Sequence, residues 1–259
     1  MATTSERLSH TYFLLGKLQR QLHELIRDGK DESDEGEALR DTMDEPWYAM
    51  SDFERDLSRG LGADLNALLP DCPARPVTIS HQEFSTQFAE AQAHGDWVTA
   101  LDLLRTNAHF VEPAYLSYLR GIFWARLEDF ESALVFFENA VQQKEPKPEY
   151  AYTLIFTYLV LGQFNRATSR ILSIAGARPD LLPDPIVAGA QEHVQIEAEL
   201  DVLDCNSDDA RRNRLEADRL LCLELQQAVL ELLRGQNDGR LPFATDETRS
   251  SEGLIRFAA

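Results

Sequence analysis

The sequence predicts an all-α protein organised around a tandem array of helical hairpins. The first observation is a threefold repeat within residues 81–180, in which Ala100, Ala133 and Ala167 lie 33 and then 34 residues apart. The second is the helical spacing of the leucines on both sides of this repeat. The third is an apolar content of 44%, which is typical of a globular rather than a disordered chain.

Other columns of the repeat agree with the alanines. Each alanine is preceded by a short polar turn and an aromatic residue, Trp97, Phe130 or Phe164. A large apolar residue follows each alanine by one helical turn, and a proline closes each unit. The apolar residues are Leu104, Phe137 and Ile171, and the prolines are Pro113, Pro146 and Pro179. Because a small residue lets two helices approach closely, the pattern predicts paired, stacked helices.

The three units resemble the tetratricopeptide family, and the resemblance covers roughly 100 of the 259 residues. It implies an α-solenoid of helical hairpins that binds a protein or peptide in a concave groove without catalysis. The units depart from the family at Phe88, Asn107, Ile155 and Ile174, where small residues are preferred. The outer units are therefore expected to be distorted or to act as caps. The alternative is a helical bundle whose period arises by coincidence.

The chain is predicted to have four parts. They are a helical N-terminal extension with an acidic linker, three repeats, C-terminal capping helices and a disordered tail, at residues 1–76, 77–182, 183–234 and 235–259. In the first part, leucines at helical spacing predict an amphipathic helix over residues 4–28. Ser51 and Glu54 have the spacing of a capping box, which predicts a helix from there to about Leu69.

Residues 28–45 contain a dense run of acidic side chains. They include Asp31, Glu32, Asp34, Glu35, Glu37, Asp41, Asp44 and Glu45. We interpret this segment as a solvated linker that runs into a short helix over residues 37–43. Its spacing is not that of a calcium-binding loop.

Two helices are predicted after the repeats. One covers residues 186–203, and a longer, leucine-rich helix covers residues 209–234. Since a repeat array exposes an apolar face at its end, we expect the long helix to cap the array. The alternative is a dimerisation helix, which would make the protein a self-assembling structural protein.

Composition limits the partners and the compartment. The formal net charge of −19 disfavours nucleic acids and anionic membrane surfaces, so we expect a neutral or basic protein or peptide partner. The three cysteines, Cys72, Cys205 and Cys222, are an odd number at no metal-like spacing, which favours a reducing compartment. No stretch is predicted to be a signal peptide or a membrane span, so we expect a cytoplasmic protein.

The sequence contains no motif typical of an enzyme. A phosphate-binding glycine loop, a dinucleotide fingerprint and a nucleophile elbow are all missing from it. None of the six histidines has a His or Cys partner three or four residues away, so neither a metal nor a cofactor is expected. We therefore expect a non-catalytic scaffold or adaptor. An enzyme with an undetected site is the third alternative, after self-assembly.

Helical spacing places candidate partner-binding residues on the first helix of each unit. They are Gln82, Ser85, Ala89 and Gln92 in the first unit, and Tyr115, Tyr118, Ile122, Arg126, Tyr152 and Phe156 in the other two. The groove formed in this way would be aromatic and apolar, with one cation. Such a surface is expected to bind an extended or helical apolar peptide. The alternative is a groove that is filled by the N-terminal helix or the tail.

Overall fold

The computed structural model describes residues 7–69, 79–144, 146–202, 209 and 213. In these residues the chain forms ten α-helices and one 3-10 turn, with no strand, which confirms the predicted all-α class. No helix in the described part of the chain is both long and apolar enough to cross a membrane. The chain divides into two compact units, Met1–Glu112 with Leu119–Ala133 (unit 1) and Pro113–Tyr118 with Leu134–Ala259 (unit 2).

The helices follow one another with short connections. In chain order they are α1 (His10–Arg27), α2 (Asp34–Ala49), α3 (Asp52–Asn66), α4 (His81–His94), α5 (Trp97–Thr106), a 3-10 turn (Ala108–Phe110), α6 (Pro113–Arg126), α7 (Phe130–Gln142), α8 (Pro148–Val160), α9 (Phe164–Ala177) and α10 (Asp184–Val202). The last of these confirms the helix predicted over residues 186–203. The predicted capping helix over residues 209–234, the predicted tail and the three cysteines fall outside the described residues, apart from residues 209 and 213.

Helices α1 and α3 pack side by side in unit 1. The helix predicted over residues 4–28 is confirmed as α1, which begins after Ser9, whose side chain accepts a hydrogen bond from the Tyr12 backbone. The predicted capping box is also confirmed, because Glu54 N–H donates to Ser51 Oγ at 3.2 Å and Ser51 N–H donates to Glu54 Oε2 at 3.0 Å. Burial raises the pKa of Glu54, but hydrogen bonds from Ser9 and Ser51 lower it to about 2.

Helix α2 corrects the predicted acidic linker. Instead of a solvated segment with a short helix at residues 37–43, the chain is helical over Asp34–Ala49. The Ser33 side chain caps this helix by accepting from Gly36 N–H at 3.3 Å, and three acidic residues in the first turn favour the positive end of the macrodipole. Gly36 is required here, because a Cβ would lie 2.2 Å from the Asp31 carbonyl oxygen.

The helix pairs α4–α5, α6–α7 and α8–α9 are joined by turns with one and the same backbone conformation. We call residues 95–100, 128–133 and 162–167 the first, middle and third turns. Their first residues, Gly95, Glu128 and Gly162, have positive φ values of 69°, 64° and 66°. The N–H of the second residue donates to the carbonyl five residues before it, at 2.9, 3.0 and 2.9 Å. Each turn ends on an alanine that is fully buried, as predicted for Ala133.

Candidate functional site

The structure buries four of the six predicted groove residues on α6 and α8. Exposure is only 6% for Tyr118, 7% for Ile122, 6% for Tyr152 and 4% for Phe156, whereas Tyr115 keeps 41%. The expectation of partly exposed rings is therefore wrong for Tyr118, Tyr152 and Phe156, and Ile122 is buried as well. On α8 the reason is clear, because the ten residues Tyr150–Leu159 are all buried. A helix that is covered all round presents no groove, and its apolar character on every side was visible in the sequence.

Tyr118 is the centre of an aromatic cluster in unit 2. Its ring centroid lies 4.5 Å from that of Tyr150 and 5.9 Å from that of Phe137, and its hydroxyl is 3.4 Å from Thr153 Oγ1. Burial raises the pKa of the Tyr118 phenol. These contacts join α6, α7 and α8, so Tyr118 acts as a core residue of its unit.

Tyr115 forms the accessible edge of the same cluster. Its ring stacks on Tyr118 with 6.4 Å between centroids, and Lys147 Nζ lies 5.5 Å from its centroid. Burial, and then the charge of Glu149, raise the pKa of Tyr115. Of the predicted aromatic groove residues, Tyr115 therefore retains a surface on which a partner could pack.

The other two predicted residues on α6, Ile122 and Arg126, belong to unit 1. Arg126 is half-buried, and its guanidinium lies 5.2 Å from the centroid of the Trp97 ring. Trp97 in turn stacks on Phe123 with an interplanar angle of 17°. Burial lowers the pKa of Arg126. The single cation of the predicted groove is thus held against an aromatic ring of its own unit.

The residues predicted to line the groove from α4 are exposed and form what we call the outer face of this helix. Gln82, Ser85, Ala89 and Gln92 are all exposed, while Phe84 and Ala91 are buried on the opposite side. The inner side is held by rings, since Phe84 lies 5.3 Å from Phe88 and 5.7 Å from Phe110 between centroids. The four side chains of the outer face are therefore accessible.

No sequence pattern predicts the buried carboxylate of Asp64. This side chain is fully buried and accepts from Arg105 Nε at 3.0 Å and from Trp124 Nε1 at 3.2 Å, and Arg120 Nε lies 3.3 Å away. Burial raises the pKa of Asp64, against the opposing influence of Arg105 and Arg120. The cluster connects α3 to α5 and α6, over separations of 41 and 60 residues. Periodicity within a helix carries no signal for such pairings.

A second buried carboxylate, Asp129, lies in the middle turn. It accepts from the Ser132 backbone N–H at 3.0 Å and from Tyr12 Oη at 3.1 Å. Arg20 Nη1 lies 3.7 Å from Asp129 Oδ1 and donates to Ser132 Oγ at 2.8 Å. Helix α1 is therefore fastened to the middle turn through Tyr12 and Arg20. Burial and the nearby charge of Asp129 raise the pKa of Tyr12 well above its usual value.

Both carboxylates are suited to holding helices together. Each accepts hydrogen bonds from side chains that are themselves largely buried. Asp64 joins α3, α5 and α6, and Asp129 joins α1 to the middle turn. In the part of the chain that the structure describes, no group of three or more His, Cys, Asp or Glu side chains could hold a metal ion.

Comparisons of the chain with family models, curated proteins and solved structures find no match. Function must therefore be inferred from the residues and their contacts.

Proposed function

We propose that the chain is a tetratricopeptide-type repeat protein that acts as a non-catalytic scaffold or adaptor for a protein or peptide partner. The observation that carries this proposal is the recurrence of one turn at three equivalent positions. The same positive φ, the same hydrogen bonds and the same buried alanine recur at intervals of 33 and 34 residues. A period of this length is that of stacked helical hairpins, whose known use is to present an extended binding surface.

The partner is proposed to bind the outer face of α4 in unit 1. Ser85 and Ala89 lie on that face, are exposed and leave it free of bulky side chains. The net charge of −19 favours a neutral or basic partner, and electrostatic attraction would guide a basic partner to the protein. A reducing compartment, which the odd number of cysteines favours, makes the cytoplasm the proposed setting.

Cross-linking of the tagged full-length protein in its native cell, followed by mass spectrometry, tests this proposal. A partner should be recovered with wild type, and Ala89→Arg should weaken its binding about tenfold, because a long charged side chain then blocks the face. Gln87→Arg is the matched control, since Gln87 is exposed on the same helix but lies about 160° around it from Ala89. The proposal is wrong if no protein cross-links above the background of the tag alone, or if both variants bind the partner equally well.

A further inference from the structure

Helix α2 presents an acidic stripe to solvent. The side chains are Asp34, Glu37, Asp41, Asp44 and Glu45, and the stripe ends on Tyr48. Helical geometry places these six positions within an arc of about 100°. All six are exposed, and Gly36 and Pro46 are buried on the opposite side of the helix. The stripe therefore points away from the core of unit 1, and none of its side chains makes a hydrogen bond or ion pair with a described residue.

The order of charges on α2 works against the stability of the helix. Asp41 lies four residues from Glu37 and Glu45, and like charges at this spacing repel. Asp44 and Glu45 also lie near the C-terminal end, where the macrodipole is negative, and the last turn contains no basic residue. Acidic residues in the first turn need no further explanation, but these two do. A local rule that is broken on an exposed face indicates a functional surface.

An exposed aromatic ring ends the stripe. Tyr48 has an exposed fraction of 76%, the largest among the large apolar side chains of the described residues. The neighbouring Trp47 holds a cation, since the Arg59 guanidinium lies 5.1 Å from the centroid of its ring. Tyrosine rings attract lysine and arginine in the same way, and exposed aromatic residues often act as anchors at interfaces.

From this combination we propose that the stripe of α2 is a docking surface for a lysine- and arginine-bearing helix of a protein partner. Basic side chains on one face of that helix would pair with the carboxylates, and one of them would pack on Tyr48. The carboxylates and Tyr48 extend over about 21 Å, which matches four turns of a partner helix. Negative charge at every step of the stripe excludes nucleic acids and anionic lipids as occupants. The inference rests on the proposed binding function and assigns that function a partner class.

Fluorescence anisotropy with a labelled basic peptide tests the assignment. The probe is a helical peptide of about 18 residues with lysines on one face, titrated with the full-length protein at low salt. Asp44→Asn combined with Glu45→Gln should raise its Kd about tenfold. The matched control is Glu90→Gln with Glu192→Gln, which removes the same number of exposed negative charges from α4 and α10. It should raise the Kd less than about twofold, because only long-range attraction is lost.

Two further measurements complete the test. The stripe variant should melt at or above the temperature of wild type, since it removes repulsion within α2. Tyr48→Ser should weaken binding of the probe at high salt as well, where the contribution of the carboxylates to binding is screened. Equal weakening by both charge variants would mean that net charge alone binds the peptide. That result, failure of the probe to bind wild type, or a lowered melting temperature of the stripe variant would overturn the assignment. The test of α4 with Ala89→Arg is independent of all three outcomes.

Discussion

The first and middle turns have the same backbone and the same cap, yet one is open and the other is buried. Asp96 accepts from Thr99 N–H at 3.0 Å and from Thr99 Oγ1 at 2.7 Å, and Asp129 accepts from Ser132 N–H and Oγ at 3.0 and 2.8 Å. Asp96 is exposed, whereas only 1% of Asp129 is exposed. The difference comes from α1, whose Tyr12 and Arg20 contact the middle turn only. One capping motif can thus serve a single helix or connect distant parts of a unit.

The largest expected difference between the two turns is in the cost of losing the aspartate. Asp129→Ala leaves Tyr12 and Arg20 without their buried acceptor and also removes the cap. We therefore expect the free energy of unfolding to fall by about 3–5 kcal/mol. Asp96→Ala removes only an exposed cap and should cost about 1 kcal/mol. Urea denaturation of both variants measures the two values. Equal losses would mean that the contact with α1 adds nothing to the middle turn.

The contrast also separates what the sequence could and could not predict. The repeat, its buried alanines and the capping box at Ser51 follow from spacing within about four residues, because helix geometry repeats locally. Burial of Asp129 depends on Tyr12, which lies 117 residues away, and no local pattern encodes that distance. The prediction of exposed side chains was wrong for Tyr118, Ile122, Tyr152 and Phe156 for a related reason. Repeat geometry assigned them to a face, but packing by other elements decides whether a face is open.

Helix α2 was mispredicted because of its composition. A high density of carboxylates is typical of a solvated linker, and most of these side chains are indeed exposed. The cap at Ser33 and the packing of Gly36 against Asp31 nevertheless make the backbone helical. Of the candidate binding surfaces, the outer face of α4 could be read from spacing, while the stripe on α2 required the helix to be known first.

The hydroxyl of Tyr12 should account for a smaller part of the difference in stability between the first and middle turns. Tyr12→Phe keeps the buried ring but deletes the hydrogen bond to Asp129, which should cost about 1.5 kcal/mol because the acceptor is charged. A double-mutant cycle with Asp129→Ala isolates the coupling between the two side chains. If their effects simply add, the hydroxyl does not stabilise the buried carboxylate.

Alkaline pH should weaken the middle turn through the same hydroxyl. The pKa of Tyr12 is raised in the folded protein, so folding favours the neutral phenol. The contribution of the neutral phenol to stability is complete below about pH 10, the pKa of tyrosine in the unfolded chain. It is lost as the pH rises from there towards the pKa of Tyr12 in the folded protein. The free energy of unfolding of wild type should therefore fall, relative to that of Tyr12→Phe, by up to about 1.4 kcal/mol per pH unit.

Denaturation at several pH values above about 10 measures this difference. Tyr48→Phe is the control, because it removes the same hydroxyl group from an exposed tyrosine. A pH profile of Tyr12→Phe that is identical to that of wild type would mean that Tyr12 ionises equally easily in the folded and unfolded chains.

The smallest expected effect concerns the first residue of the middle turn. Glu128 has a φ of 64°, and no other described residue except glycine has a positive φ. A left-handed conformation costs a non-glycine residue about 1–2 kcal/mol, and the greater freedom of glycine in the unfolded chain offsets part of that cost. Glu128→Gly should therefore stabilise the protein by about 0.5 kcal/mol.

Gly162→Ala provides the reverse experiment at the third turn. A Cβ at Gly162 would meet nothing closer than 4.0 Å, so the substitution tests the backbone conformation without a steric clash. We expect it to destabilise the protein by about 1 kcal/mol. Chemical denaturation of both variants under the same conditions measures the two changes. If Glu128→Gly destabilises instead, the Glu128 side chain makes a contribution at the middle turn that exceeds the strain of its own backbone.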